Sequence, residues 1–429
     1  MEKEKFFDIL NRELEMALGC TEPIAIAYAA ALAQNNLKGE EISYIKVYAS
    51  KNIIKNAMGV TIPGTGSCGI PLAAALGAVS GNADKKLEVL ANLSDNHLKK
   101  AKKMINEGKI TFDLSNSPKK LYIEVIIANK LSKSKVIIED KHTNVVLIEV
   151  NGKPLKKDSN DLKIEKNKNF DFLNLDSIYE FIENVDPEEL GLINRSIEIN
   201  KKICKEGLNS SYNRNIKEIN ESNSSDKSLS EDTVSYAVAL TAAGSGARMS
   251  GINLPVISNS GSGNQGISAT IPVVAIAERL NINFDKMLRA VTLSHLITIY
   301  IKSKFGRLSA FCGATVSATG ASCGITYLLG GKKAEICASI QNMLGNVTGM
   351  ICDGAKAGCA LKVATCTSAA LHSAHMAVQG MCIKSTDGII EDNPEKTIEN
   401  FCRLANSGMA AADDIILDIM LKKSPKFSS

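Results

Sequence analysis

Cysteines are the residues of this sequence that point most clearly to chemistry, because eleven of them occur among its 429 residues. Cys352 and Cys359 are seven positions apart with glycines near both, and Cys312 begins another segment of small residues. Thiolates in an apolar, glycine-rich setting are suited to binding an iron–sulfur cluster. In a chain of this length, an odd and large number of cysteines favours metal binding or catalysis over a disulfide framework.

The spacing of the cysteines also predicts a break in local structure. On one unbroken helix Cys352 and Cys359 would share a face but lie about 10 Å apart along the axis. Because that separation is awkward for two thiolates on one compact cluster, we expect residues 353–358 to interrupt the helix, which their glycines permit. Cys366, seven positions further on, is expected in the core. Spacing alone does not select ligands among Cys312 and the remaining cysteines.

A further cysteine, Cys20, lies where two predicted helices meet. The segment Gly19-Cys20-Thr21-Glu22-Pro23 interrupts the first helical pattern, and an alanine-rich helix follows it. Thr21 before Glu22 and Pro23 is a start signal, since proline suits the first helical turn. Cys20 would then lie at a helix N-terminus, where the dipole lowers the pKa of a thiol. A small buried residue at a helix junction is the alternative.

The sequence contains two glycine-rich loops: residues 59–69, which lead into a predicted helix, and residues 261–266. Backbone N–H groups in such loops bind anions, for example a carboxylate. The first loop lacks the Gly-Lys-Ser/Thr ending of a phosphate-binding loop, and a turn that lets helices pack closely is its alternative interpretation. The second matches the dinucleotide fingerprint in its letters but lacks the surrounding parallel βαβ unit, so we expect it to bind a small anion.

Four charged or titratable residues lie near long uncharged runs: Arg248, His295, Lys302 and Arg307. Each could steer a carboxylate or relay a proton, or could lie at the surface. The runs themselves, residues 249–277 and 308–331, are rich in small and hydroxyl side chains. A bilayer span needs roughly 20 predominantly apolar residues, so these runs predict closely packed helices and loops instead of membrane segments.

The length of the chain and the change in its composition along the sequence predict two main domains of the α+β class. We expect the helices of residues 1–36 to pack with the C-terminal domain. Residues 37–185 are predicted to form a small α+β domain with an antiparallel sheet, in which Asp140–Asn144 is a hairpin connection. Residues 186–429, dense in Ala, Gly, Ser and Thr, are predicted to form a predominantly helical cluster-binding domain.

Composition and the first residues limit the partners and the compartment. A formal charge of +4 is close to neutral for this length, and no basic stripe with interleaved aromatics occurs, so we expect no nucleic-acid partner. The charged start Met1–Lys5 shows no secretory signal, so we expect a cytoplasmic protein with no membrane partner. Alanine- and glycine-rich faces are compatible with a homo-oligomer.

As a set, the motifs make this sequence resemble the L-cysteine desulfidase family, relatives of the iron–sulfur L-serine dehydratases. The similarity covers effectively the whole chain. The residues that carry it are Gly19–Pro23, Gly59–Gly66, Gly306–Gly313, Met350–Lys356 and Gly358–Lys362, and it continues through Asp387–Ile390.

The resemblance implies an oxygen-sensitive [4Fe–4S] enzyme without pyridoxal phosphate that converts L-cysteine to pyruvate, ammonia and hydrogen sulfide. The family's cluster ligands fall on Cys312, Cys352 and Cys359, and its additional N-terminal cysteine falls on Cys20. Three thiolates leave one iron open as a Lewis acid for the departing sulfur. Cys20 is the candidate base for the Cα proton, or it caps the fourth iron at rest.

The same chemistry suggests residues that bind the substrate, which we expect to come from the two glycine-rich loops and the nearby histidine. These candidates are Thr65, Gly66, Ser67, Ser260, Ser262, Asn264 and His295. The nearest alternative function is an iron–sulfur dehydratase acting on L-serine or a related hydroxy-amino acid, because only the leaving group differs. A thiol-rich protein that stores or senses metal, and a zinc or nicotinamide enzyme, are alternatives of other classes.

Overall fold

The computed structural model describes residues 3–39, 41–157, 170–209 and 231–423. In this part of the chain the α-helices are α1 (Lys3–Glu13), α2 (Thr21–Asn35), α3 (Lys51–Ala57), α4 (Ile70–Ser80), α5 (Asp95–Asn106), α6 (Leu175–Asn184), α7 (Gly191–Asn209), α8 (Glu231–Met249), α9 (Gly263–Arg279), α10 (Phe284–Phe305), α11 (Gly313–Leu328), α12 (Lys333–Val347), α13 (Cys359–Val378), α14 (Pro394–Arg403) and α15 (Ala410–Lys422). The strands are β1 (Met16–Leu18), β2 (Tyr44–Ala49), β3 (Ile110–Leu114), β4 (Tyr122–Ala128), β5 (Lys133–Glu139), β6 (Val145–Val150), β7 (Lys153–Lys157) and β8 (Pro255–Ile257).

Most of the helices surround one large core, to which α1 and the helices from α6 to α14 contribute. Its central helices α9, α10 and α11 are buried on nearly all sides. Many of their hydroxyl groups donate to a carbonyl one turn earlier, as Thr298 does to Ser294 at 2.8 Å and Thr319 to Thr315 at 2.9 Å. Because these bonds satisfy the hydroxyl groups locally, uncharged hydroxyl-rich helices can be buried. The prediction of closely packed helices in these runs is confirmed.

A second core lies between a six-stranded sheet and the helices α2 to α5. The strand order is β3-β2-β4-β5-β6-β7, and its pairs are antiparallel except for β2 and β3, which run parallel. The mostly helical architecture with a smaller α+β part is as predicted, and the predicted antiparallel pairing holds for every pair of the sheet except that of β2 with β3. Parallel strands need a long crossover connection, and α3, α4 and α5 supply it between β2 and β3.

The first two helices belong to different cores, which differs from the expected common packing of residues 1–36. α1 packs into the helical core through its amphipathic face, whereas α2 lies in the core of the small domain. α2 is apolar on almost its whole circumference, as expected of a helix surrounded by protein. α6 packs with the helical core, although its residues fall within the predicted small domain. Among the described residues, no helix has both the length and the apolarity to cross a bilayer.

Candidate active site

A short backbone pairing brings Cys312 and Cys352 side by side. The amide of Cys312 donates to the carbonyl of Met350 at 2.9 Å, and the amide of Cys352 donates to that of Ala310 at 2.7 Å. Phe311 and Ile351, which immediately precede the two cysteines, form an antiparallel bridge. The two cysteines, forty positions apart in sequence, are therefore held on adjacent backbones.

The loop after Cys352 reverses the chain and ends at Cys359, the first residue of α13. Residues 350–358 are not helical, and Gly354 has φ +93°, in the left-handed region that favours glycine. The Asp353 carboxylate forms ion pairs with Lys356 and Lys362. The predicted break in the helix is confirmed, and these ion pairs fix the loop.

Cys20 completes a group of four cysteines around one small cavity. It lies immediately before α2, at the predicted helix N-terminus. Its side chain is buried, with 2% of the residue exposed. The cavity has a volume of about 90 Å³. Its lining consists of Cys20, Thr21, Glu22, Asn56, Arg248, Ser262, Asn264, Cys312, Gly313, Ala314, Cys352, Gly354, Ala355, Cys359 and Val363.

Four helices direct their N-termini at this cavity, since the first residues of α2, α9, α11 and α13, or the residues just before them, line it. The first backbone N–H groups of a helix lack partners within that helix, and the helix dipole is positive at this end. The cavity is therefore suited to negative charge, both of thiolates and of a bound carboxylate. The loop at residues 261–266, predicted to bind a small anion, leads into one of these helices, α9.

The thiols that line the cavity need a counter-charge to ionise. Burial raises the pKa of Cys312, and Cys352 raises it further. Burial likewise raises the pKa of Cys359. Within the described ranges no group of three His, Cys, Asp or Glu side chains is close enough to hold a single metal ion. An iron–sulfur cube places each thiolate on a different iron, so its ligands stand farther apart than those of one ion, and the converging thiols suit such a group.

The electrostatics of Cys20 differ from the expectation of a lowered pKa. Its Sγ donates a hydrogen bond to Glu22 Oε2 at 3.0 Å. Burial, followed by the negative charge of Glu22, raises the pKa of Cys20 well above its ordinary value, although Arg248 acts in the opposite direction. The helix end was predicted correctly, but desolvation and the neighbouring carboxylate outweigh its dipole. A protonated thiol paired with Glu22 is the result.

Glu22 is held as a carboxylate by its partners. Oε1 accepts from Asn56 Nδ2 at 3.0 Å, and Oε2 accepts from Cys20 and from the Thr21 hydroxyl. Burial alone would raise the pKa of Glu22, but the contact with His142 and the hydrogen bonds from Cys20 and Asn56 lower it to about 2. The cavity thus contains a neutral thiol that donates a hydrogen bond to a carboxylate.

Arg248, at the end of α8, is the cation of the cavity. It is 3% exposed, and its Nε donates to the carbonyl of Gly19 at 3.0 Å while Nη1 donates to Asn264 Oδ1 at 3.1 Å. A Cβ on Gly263 would lie 2.3 Å from the Arg248 Nε, so the glycine makes room for the guanidinium. Ser262 and Asn264, both predicted to bind substrate, line the cavity beside this residue.

The other predicted substrate-binding residues lie outside the cavity lining. Thr65, Gly66 and Ser67 form a turn in which the Thr65 hydroxyl bonds within its own loop, to Ile62 and Ser67. Ser260 lines a different, larger cavity of about 780 Å³ and donates to Asn259.

His295 is fully buried away from the cavity, and both of its ring nitrogens have protein partners. They lie 3.0 Å from Asn259 Nδ2 and 3.1 Å from Thr270 Oγ1. Burial lowers the pKa of His295 to about 3, so the ring is neutral. Because these contacts fix the loop that precedes α9, His295 supports the site from behind and does not face a substrate.

Sequence reasoning did not assign Glu22 and Asn56 to the site. Glu22 belongs to the motif around Cys20 and lies in the first turn of its helix, where an acidic residue is commonplace. Asn56 lies in α3 and carries no signal in the sequence, because its role arises from packing against residue 22. Arg248 was one of four candidate cations and is the one that the fold brings to the cysteines.

Comparison with known proteins identifies the family of this chain. The model of the serine dehydratase alpha chain family matches residues 84–418. A relative named UPF0597 protein from Parabacteroides distasonis is 44% identical over 425 residues, which cover 98% of this chain and 99% of the relative. UPF0597 proteins of Clostridium perfringens (44% over 424 residues; 98% and 99%) and Shewanella pealeana (43% over 426; 97% and 98%) are similar as well. The chain belongs to the serine dehydratase alpha chain family, and the resemblance in its motifs is confirmed at that level.

Proposed function

We propose that this protein is a [4Fe–4S]-dependent L-cysteine desulfidase that forms hydrogen sulfide, pyruvate and ammonia without pyridoxal phosphate. The observation that carries the proposal is that Cys20, Cys312, Cys352 and Cys359 line the same cavity as Arg248. Thiols for a cluster and a cation for an amino-acid carboxylate are thereby combined. All eleven cysteines are unpaired, which suits a reducing, cytoplasmic environment.

Cys312, Cys352 and Cys359 would hold the cluster. They come from the paired backbones at residues 310–312 and 350–352 and from the first turn of α13. When bound through three thiolates, the cluster would supply an open iron as a Lewis acid for the leaving sulfur. The helix N-termini at Cys312 and Cys359 and the ammonium of Lys362, which pairs with Asp353, favour the negative charge of the thiolates.

The chain's own residues bind the two ends of the amino acid. Arg248 is placed to bind the carboxylate, with Ser262, Asn264 and the N–H groups at the start of α9 beside it. Asn56 Oδ1 is buried and has no hydrogen-bond partner among the residues that the structure describes. Because Asn56 lines the cavity, this oxygen can accept a hydrogen bond from the substrate's amino group.

Proton abstraction falls to the Cys20–Glu22 pair. The Cys20 sulfur takes the Cα proton while its own proton passes along the existing hydrogen bond to Glu22. The electron pair of the Cα–H bond forms the Cα–Cβ double bond, and the sulfur leaves with the electrons of the Cβ–S bond. The resulting aminoacrylate hydrolyses to pyruvate and ammonia. Cys20 therefore acts as the base although its resting thiol is protonated, because Glu22 accepts the displaced proton.

A dehydratase acting on L-serine is the second candidate, and the description of the matching family model favours it. The same residues would bind the carboxylate and move the Cα proton, while the β-hydroxyl would leave in place of sulfur. A homo-oligomer is compatible with either reaction, and neither needs a nucleic-acid or membrane partner.

The test is an anaerobic preparation analysed for iron, labile sulfide and turnover. We expect about four irons and four sulfides per chain, as the proposed cluster requires, and sulfide release from L-cysteine with a higher kcat/KM than pyruvate release from L-serine. The reverse preference would establish the dehydratase. A fully loaded protein that turns over neither amino acid would overturn both, and a zinc-loaded protein active without iron would exclude the cluster.

A further inference from the structure

His142 approaches the candidate active site from the six-stranded sheet, beside α2. It lies in the hairpin between β5 and β6, yet its side chain is only 3% exposed and its Nε2 is 3.9 Å from Glu22 Oε1. A Cβ on Gly261 would lie 3.0 Å from His142 Nδ1, so the ring also packs against the loop that leads into α9. The hairpin turn predicted at residues 140–144 thus places an imidazole behind Glu22.

The ring of His142 is buried without hydrogen-bond partners. Neither Nδ1 nor Nε2 has one among the described residues. A buried polar group in that state lowers stability, because its lost hydration is not replaced. Its presence therefore calls for an explanation, such as a role in function. The shortest approach that the structure gives either nitrogen to a charged oxygen is the one to Glu22 Oε1.

Of the charged groups around His142, Glu22 is the carboxylate that faces its ring. Arg307 approaches the same glycine from the helical domain, and Lys141 precedes His142 in the hairpin. Both cations are directed to another carboxylate, that of Glu13, which pairs with Arg307 and lies 3.6 Å from Lys141 Nζ. Glu13 therefore balances these cations, and an imidazolium at His142 would be balanced by Glu22.

We propose that His142 receives the proton that Glu22 accepts from Cys20 during turnover. This inference rests on the proposed function, because it extends the path of the Cα proton by one step. A half-turn of the carboxyl group brings the protonated oxygen to the side that faces His142, and the proton passes to Nε2 once the side chains close the 3.9 Å gap to hydrogen-bond distance. Glu22 returns to the carboxylate, Cys20 remains a thiol, and His142 becomes an imidazolium that later loses the proton to solvent. No electrons are gained or lost.

The chemistry favours this direction of transfer. The hydrogen bonds that Glu22 accepts from Asn56 and from the Thr21 hydroxyl favour its carboxylate form, so a proton placed on it is readily passed on. An imidazole accepts a proton near neutral pH, and the resulting ion pair with Glu22 is attractive. His142 touches neither the substrate nor the cysteines and acts through Glu22, so it is a positioning residue for the proton and not a catalytic one.

The first test needs no activity. The side-chain nitrogen resonances of the five histidines are followed against pH in the wild type, with His142→Gln used to assign the resonance that disappears. In Glu22→Gln, the pH dependence of the His142 resonance should differ from that in the wild type, because the ring loses the carboxylate that it faces at 3.9 Å. An unchanged pH dependence would show that the two groups are not coupled and would overturn the inference.

The second test measures kinetics and cluster content in His142→Gln, with His97→Gln as the control for removal of a histidine from the same domain. We expect a roughly 100-fold lower kcat for L-cysteine in His142→Gln, as for loss of a proton-transfer partner, with KM and iron content unchanged. The acid limb of the plot of kcat against pH should lie at lower pH in His142→Gln than in the wild type. His97→Gln should behave as the wild type.

Wild-type kcat with an unmoved acid limb in His142→Gln would contradict the role. If the wild type turns over neither L-cysteine nor L-serine, the proposed function has failed. The titration in Glu22→Gln then still decides whether His142 and Glu22 are coupled.

Discussion

A Cβ atom on Gly354 would stand 2.5 Å from the backbone carbonyl oxygen of Lys55. The side chain of Lys55 is itself 1% exposed and forms a 2.5 Å ion pair with Asp413. The loop between the two cysteines is therefore pressed against α3, which is in turn fixed by the C-terminal helix α15. The loop can lie this close to α3 only because residue 354 is a glycine.

Gly354→Ala is expected to displace the cysteine loop. The substitution adds a clash with Lys55 to a left-handed conformation that costs about 1–2 kcal/mol for a residue with Cβ. We predict that cluster iron after anaerobic reconstitution falls by half or more. Gly358→Ala is the matched control, because Gly358 has φ −61° and its added Cβ would meet only ordinary contacts. Equal iron contents in the two variants would contradict the prediction.

Replacing Cys312, Cys352 or Cys359 by Ala should abolish the broad visible absorbance of the reconstituted protein, because each thiolate would hold a separate iron. Cys366→Ala is the control. Cys366 lies two turns further along α13, is buried in the helical core as predicted, and has its Sγ 3.4 Å from Met350 Sδ. A complete cluster spectrum in any of the first three variants would remove that cysteine from the ligand set.

Replacing Cys20 by Ala should separate catalysis from cluster binding. As the base, Cys20 is expected to contribute about 100-fold or more to kcat, while the other three cysteines still hold the cluster. Iron analysis and sulfide release on the same sample measure both effects. Unchanged turnover would refute the assignment as base, and loss of most of the iron would make Cys20 a ligand.

Arg248→Lys should weaken substrate binding. A lysine cannot reproduce the planar fork that contacts Gly19 and Asn264 and still present two donors to a carboxylate. A hydrogen bond to a charged group contributes about 1.5–3 kcal/mol, so kcat/KM should fall roughly 10- to 100-fold, mainly through KM. Arg289→Lys on α10, whose guanidinium contacts backbone carbonyls at the end of α6, is the control. A wild-type KM in Arg248→Lys would exclude it as the carboxylate-binding residue.

Lys302 predicts a pH dependence of stability. Burial, with the charge of Arg307, lowers its pKa from 10.5 to about 7. Between these values the unfolded chain binds more protons, so this residue makes the free energy of unfolding rise as pH increases from about 7 to 10.5. Below pH 7 the lysine is charged in both states and adds no further slope.

The measurement is urea unfolding of wild type and Lys302→Met at several pH values from 6 to 10. The variant should be the more stable protein near neutral pH, and its advantage should shrink as the pH rises. Lys304→Met, at a partly exposed position two residues away, should parallel the wild type. Parallel curves for wild type and Lys302→Met would contradict the lowered pKa.

The sequence allowed the cysteine site to be predicted because its signals are local. Cys352 and Cys359 are separated by glycines that break the helix, and Cys20 precedes a proline in a first helical turn. The family motifs then selected Cys312 from the other cysteines. These features depend on neighbours within a few positions, which a linear pattern records.

Contacts over long separations were not predictable in the same way. Glu22 and His142 are 120 positions apart and meet only because α2 packs against the small sheet, whose β5–β6 hairpin carries His142. The raised pKa of Cys20 has the same origin, since burial depends on the whole fold while the helix end is local. The parallel pairing of β2 with β3 likewise follows from the path of three intervening helices.

The convergence of four helix ends has a consequence for biosynthesis. Cys20 leaves the ribosome early, whereas Cys359 is translated hundreds of residues later. A nascent chain therefore cannot present the full set of thiols until its synthesis is nearly complete. The proposed cluster would therefore have to be delivered to an almost finished chain, and a polypeptide that ends before α13 would lack one of its three proposed ligands.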